Sequence, residues 1–419
     1  MRAMLFAAAA AVLAPAAAPA QQPPAPSAPP VVGYATAPTG PGCDPAPAGV
    51  RDALAATDLL TGPQVWGGVE YLVWFVKNQP TPPLIEVLPP AQSVVSNTAT
   101  PTSDAREFQV YPGNRGSLKF DAQNGIRGTV GAQFRPGFGA DFSGFVLEHQ
   151  TDGASYAGSG LPGTSGVSRG YTQAGTGDII HLFSALPGQY SGRVDALADT
   201  RLWGLDGNLR FDWYRFLVDK TDLLLGFRYL DLQEGLAIND QSTLLDGTGG
   251  FATHDSFRTR NQFYGGQTGL HLQLGGYNRF WVDGLFKFAV GGVRQRVDIV
   301  GSNDIVTNGV VDRETGGLYA RGANLGSFTR DKFAAVGELG VRVGYQITPY
   351  LRAHVGYNII WLSSAARPGQ AIDPTVNDAN VRFIANGAQS TVQAPRFDWT
   401  RAAGDFWAQG LTLGLTGSY

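Results

Sequence analysis

The sequence predicts an all-β fold: an antiparallel transmembrane β-barrel of about ten strands behind a disordered, Pro-rich N-terminal tail. Three observations predict it. From residue 65 onward, apolar residues recur at every second position in runs of about 10 to 20 residues. The connections between those runs alternate between short and long. The first 20 residues carry the pattern of an export signal. Composition agrees: of 419 residues, 56 are Gly and only 16% are charged, against a usual charged share of roughly 25%. Such a Gly content disfavours a helical protein, because each helical Gly costs about 1 kcal/mol relative to Ala. Mean hydropathy is -0.08, and no apolar run after the N-terminus approaches the ~20 residues of a membrane helix. A net charge of -3 offers no basic excess, so no nucleic-acid partner is expected.

Residues 1–20 form a bacterial-type signal peptide. Arg2 supplies a positive start, Met4 to Ala14 an apolar segment and Ala18-Pro19-Ala20 a small-residue cleavage site. Residues 21–62 are rich in Pro and Ala and nearly free of charge in their first part. Such a segment builds no core and is expected to be a disordered linker. Cys43, the one cysteine, sits inside it, which excludes a disulfide framework.

The barrel occupies 63–419. Ten period-two segments are read: 65–76, 124–134, 138–148, 194–212, 221–238, 255–275, 279–300, 331–348, 350–364 and 404–419. In the eighth, Phe333, Leu339, Val341, Val343, Tyr345 and Ile347 lie on one face, with Glu338 and Arg342 on the other. Globular strands average about 5–6 residues, whereas membrane strands need about 9–11. Short connections fall at Arg135-Pro136-Gly137, 213–220, Gly276-Tyr277-Asn278 and Thr348-Pro349. Long ones fall at 77–123, 149–193, 239–254, 301–330 and 365–403. Outer-membrane barrels have short periplasmic turns and long extracellular loops. A hairpin hidden in a long loop would raise the count to twelve. The final strand ends on an aromatic residue, Tyr419, a feature that resembles the signal read by the barrel-assembly machinery. Trp66, Trp74, Trp203, Trp213, Trp281, Trp361 and Trp407 lie near segment ends, and are read as interfacial girdles.

Three stretches carry a family resemblance. "LLLGFRYLDLQEGL" (223–236) resembles a G-F-R-Y-x-x-L-x-E-x-L signature through Gly226, Phe227, Arg228, Tyr229, Leu232, Glu234 and Leu236. "VWGGVEYLVWFVKNQPTPPL" (65–84) and "TRLWGLDGNLRF" (200–211) resemble two further strands of the same family, with Asp206 where Glu is commoner. The family is the beta-barrel porin-7 (BBP7) group of outer-membrane proteins, of planctomycete type. The resemblance covers about 65–419 and implies a porin in the bacterial outer membrane, in contact with its lipid. It supplies no catalytic residues and no substrate.

With the apolar face against lipid, the other face lines the lumen. It carries Glu70, Arg127, Asp206, Arg210, Arg228, His271, Asp283, Lys287, Glu338, Arg342, Arg352 and His354. An Arg or Lys at the lipid midplane costs roughly 2–4 kcal/mol, which places these groups inward. About eight strands leave room for side chains or one small ligand, and sixteen leave a channel. Two readings stay open: a salt-bridge network that plugs the lumen, or a selective path for small polar solutes.

Other motifs carry little chemistry. Gly158-Ser159-Gly160-Leu161-Pro162-Gly163 matches a dinucleotide fingerprint, but Pro162 interrupts it and no helix follows. His254-Asp255 is the best candidate for an envelope hydrolase, yet neighbours on a strand face opposite ways. No metal cluster, cofactor motif or nucleophile elbow is present. The expected function is therefore not enzymatic. It is porin-like passive diffusion of small polar solutes. The alternatives are a plugged barrel for structure or surface recognition and, below it, a hydrolase.

Overall fold

A computed structural model describes residues 64–90, 109–113, 116–213, 220–273, 279–384 and 391–419. The expected signal peptide, linker, Cys43 and the turn at Gly276-Tyr277-Asn278 lie outside the described residues. Ten strands form the wall: β1 (Gln64–Val76), β2 (Gln123–Arg135), β3 (Phe138–Leu147), β4 (Tyr190–Asp212) and β5 (Lys220–Leu244), then β6 (Gly249–Gln273), β7 (Phe280–Thr307), β8 (Gly326–Thr348), β9 (Leu351–Ala366) and β10 (Ala403–Ser418). Each pairs antiparallel with the next. The ring closes where β1 pairs with β10, from Trp66 opposite Ser418 to Val76 opposite Ala408. Tyr419 exchanges two backbone hydrogen bonds with Val65 at that seam, and its side chain is exposed. The sheet holds twelve strands. The two extra ones, Gln150–Gly158 and Val310–Thr315, lie along β4 and β7 and do not enlarge the ring.

Period-two alternation continues well past the membrane, with its polarity reversed. On β7, Phe286, Phe288 and Val290 face out while Asp283 and Lys287 face in. Further along the same strand Arg294, Arg296 and Asp298 face out, and Val293, Val297 and Ile299 are buried inside. β5 does the same: Leu225 and Phe227 face out with Arg228 inside, then Leu230, Leu232, Leu236 and Ile238 turn in. The change falls at a collar in one register line, Leu205–Tyr229–Tyr264–Gly292–Phe333. Below it the outside is lipid, so the apolar face points out. Above it the outside passes through the headgroup layer into water, so the apolar face points in and makes a core.

This reversal lengthens the strands beyond the expected segments. β7 has 28 residues, and at about 3.4 Å per residue and a 40° tilt it rises roughly 70 Å, against an apolar band of about 25 Å. Two expected long loops are therefore mostly strand. The 239–254 connection shrinks to 245–248. Within 301–330 the chain turns back at Asn308-Gly309, whose φ values are 49° and 80°. Positive φ at both central residues gives the two-residue hairpin turn that Asn-Gly favours. After a break at Glu148-His149, Gln150–Gly158 continues the line of β3 along β4.

Among the described residues, parts of the 77–123, 149–193 and 365–403 connections form a five-stranded sheet in the mouth at the long-loop end, built around Gly166–Gln173. Two fully buried ion pairs fix the mouth. Arg169 donates to Asp255 of β6 at 2.7 Å. Arg367 holds Glu234 of β5 at 2.6 Å and donates to the carbonyls of Lys77 and Asn78.

Near the first pair lies Asp240 of β5, eleven positions beyond Tyr229 and clear of the membrane. Burial pushes its carboxyl up to about 6, with the Arg169 guanidinium pulling the other way. A folded-state value above the unfolded one stabilises the fold at low pH, and that stabilisation is lost as pH rises through about 6. Asp240→Asn should therefore gain stability relative to the parent chain between pH 4 and 7, by at most about 3 kcal/mol. Denaturant unfolding of both chains across that range checks this. A gap that ignores pH would contradict it.

Candidate functional site

The same parity that puts Leu, Val and Phe into lipid delivers the charged side chains into the lumen below the collar. Glu70, on β1, faces Arg127 across the β1–β2 ladder, 3.4 Å away. Arg127 also reaches Glu338 of β8 at 3.2 Å. Glu338 in turn holds Arg228 of β5. Arg228 lies 3.3 Å from Asp206 of β4, and Lys287 of β7 binds the other Asp206 oxygen at 2.6 Å. His354 of β9 closes on Glu70 at 2.9 Å. Six ionised groups, three of each sign, thus cross the lumen in a continuous layer. All six are buried.

A burial cost of several kcal/mol per ion is recovered only with close partners and satisfied hydrogen bonds. Each carboxylate here has at least two. Asn208 adds a donor to Asp206 at 2.8 Å, and Gln267 donates to Asn208 at 2.6 Å. On the extracellular side the layer meets apolar groups. The Arg127 guanidinium lies 5.2 Å from the Trp74 ring centroid and 5.6 Å from that of Phe145. Leu72, Leu230, Phe263, Val293, Val336 and Ile360 fill the space beyond, each almost fully buried.

Toward the short-turn end the lumen opens into a cavity of about 340 Å³. Its wall carries a second group of charges. His271 sits 3.5 Å from Asp222 and 3.4 Å from Asp283. Arg210 contacts Asp222 and lies 3.2 Å from Asp141. Arg342 ties the two groups together, at 3.4 Å from Asp283 and 3.5 Å from Glu70. Arg352 stands at the cavity rim on the short-turn side, where it is exposed and donates to Gln346 at 2.6 Å.

The structure thus sets eleven of the twelve expected lumen residues in one connected network, with Arg352 at its rim. Asp141, Asp222, Asn208 and Gln267 also belong to it. Their signal was present, since each has the inward parity of its strand. Three girdle assignments are corrected by the same parity. Trp66, Trp74 and Trp281 point inward. Trp66 and Trp281 line the cavity, and Trp74 is part of the core. The Trp66 ring lies against Gly131, and the Trp281 ring against Gly344, where a Cβ would come within 2.2 Å of each. Glycine there makes room for an inward Trp.

Among the described residues no three His, Cys, Asp or Glu side chains are grouped to hold a metal. His254 bonds Asn239 at 2.7 Å on the outer face, while Asp255 is buried inside against Arg169.

A family model described as "Putative beta barrel porin-7 (BBP7)" matches residues 66–419. No curated protein matches the sequence. Among solved structures, the chain is similar to the outer membrane protease OmpT from Escherichia coli at 10% identity and a TM-score of 0.40, over 85% of this chain and 97% of that one. It is similar to a FadL homologue from Pseudomonas aeruginosa at 8% identity and a TM-score of 0.21, over 87% and 92%. Likeness at this level carries no argument about what this chain does.

Replacing Arg228 by Met leaves Asp206 and Glu338 short of a partner in a buried layer. It should cost about 3–5 kcal/mol, while Arg352→Met at the exposed short-turn rim should change stability by no more than about 0.5 kcal/mol. Urea unfolding in detergent distinguishes the two. Equal effects would show that the layer contributes nothing specific.

Proposed function

Because the chain belongs to the beta barrel porin-7 family of outer-membrane barrels, we propose that it is a gated channel that passes small polar solutes and rests closed. One observation carries this reading: among the described residues, the six-ion layer lies directly beneath a buried apolar core. The cavity below the layer is open toward the short-turn end and presents both signs of charge. It suits a small polar or zwitterionic solute better than an ion of one sign. Passage requires the ion pairs to part and the mouth to loosen. Transport is diffusive, with no bond chemistry.

A second reading is a structural or surface-recognition barrel that never opens. The fully buried pairs Arg169–Asp255 and Arg367–Glu234, which fasten the mouth to the wall, favour it.

Planar-bilayer recording separates the readings. The parent chain should be silent apart from rare brief openings. The double variant Arg169→Ala, Arg367→Ala, shown to be folded by its heat-modifiable migration, should give discrete conductance steps. A silent double variant supports the structural barrel. Steady conductance by the parent chain contradicts the closed rest state.

A further inference from the structure

Just above the collar, the outer face of the wall changes from apolar to arginine-rich. Arg201, Gln233, Arg260 and Arg296 occupy one register line across β4 to β7. Arg258 and Arg294 flank it on the neighbouring outward positions. Arg201 is eleven residues from Asp212 at the short-turn end of β4. At about 3.4 Å per residue and a 40° tilt, that is roughly 28 Å, the upper edge of an apolar band about 25 Å tall. The guanidiniums therefore stand at the depth of outer-leaflet headgroups.

Their pairing is incomplete. Arg260 holds Asp231 at 2.6 Å and Arg296 holds Asp298 at 2.9 Å. Arg201, Arg258 and Arg294 form no ion pair among the described residues, and all three are exposed. Arg260 and Arg296 are direct cross-strand partners, each already balanced by its own Asp.

A second feature lies beneath Arg201. A groove of about 390 Å³ runs down the lipid face of β2, β3 and β4. Val146 and Leu205 wall it, Gly128 and Gly144 form its floor, and Arg201 lies at its upper end. An apolar channel under a guanidinium matches the two halves of a phosphorylated lipid. We propose that this face binds an anionic membrane lipid, with an acyl chain in the groove, its phosphate on Arg201, and the outward arginines of β6 and β7 adding positive potential beside it. Guanidinium presents paired donors that fit phosphate oxygens. The site is independent of whether the lumen opens.

Native mass spectrometry of the full chain in neutral detergent tests this, with dioleoyl phosphatidic acid and dioleoyl phosphatidylcholine as probes. Phosphatidic acid should bind about tenfold or more tightly than the zwitterionic lipid. The triple variant Arg201→Gln, Arg258→Gln, Arg294→Gln breaks no ion pair and should lose that preference. Gly128→Leu should weaken both lipids, because a Cβ at Gly128 meets nothing within 4 Å and the new side chain fills the groove. Equal affinity for the two lipids, an unchanged triple variant, or displacement of phosphatidic acid by an equal concentration of inorganic phosphate would each overturn the proposal.

Discussion

A charged side chain inside a lipid-coated ring has no solvent to retreat to, and the rest of the molecule follows from that. Ten strands enclose too little space for each ion to keep its own water. Opposite charges must meet across the lumen, and here they do. Glu338 on β8 is shared by Arg127 on β2 and Arg228 on β5, strands that are not neighbours in the ring. Such cross-lumen pairs tie opposite walls together, which backbone ladders cannot do. They also fill the lumen with paired charge at one level.

The polarity reversal at the collar is the second consequence of geometry. The strands keep their pleat, but the medium outside them changes from lipid to water. Inside and outside then exchange roles, and an apolar core appears exactly where a wider porin would have water. Ion layer and core therefore abut. The lower half of the lumen is a charged vestibule, and the upper half is a packed interior held shut by the buried Arg169–Asp255 and Arg367–Glu234 pairs.

Much of this was legible in the sequence. The ten strands begin and end near their expected positions on the short-turn side, because Pro136-Gly137 and Pro349 punctuate the alternation there. Inward parity picked out residues such as Glu70, Arg228 and Lys287 from single strands. The far ends were harder to read. A strand whose apolar face switches sides looks, in composition, like a polar loop, and so 239–254 and 301–330 read as connections. The partners within the lumen were also beyond reach. Parity says that Arg127 points inward, but only the ring's diameter brings it to Glu338. The mouth sheet joins strands from widely separated loops, and no local pattern announces pairings of that kind.

The ion layer separates the open charged cavity from the packed core above it. Cysteine accessibility measures that division most directly, in a chain whose own Cys43 is replaced by Ser. Single cysteines at Leu285, which lines the cavity, and at Val293, in the core above the layer, would be exposed to a small charged thiol reagent in reconstituted vesicles. Rapid labelling is expected at Leu285→Cys and none at Val293→Cys while the barrel stays folded. Comparable labelling at both positions would mean that water crosses the layer, and the closed-barrel account would fail.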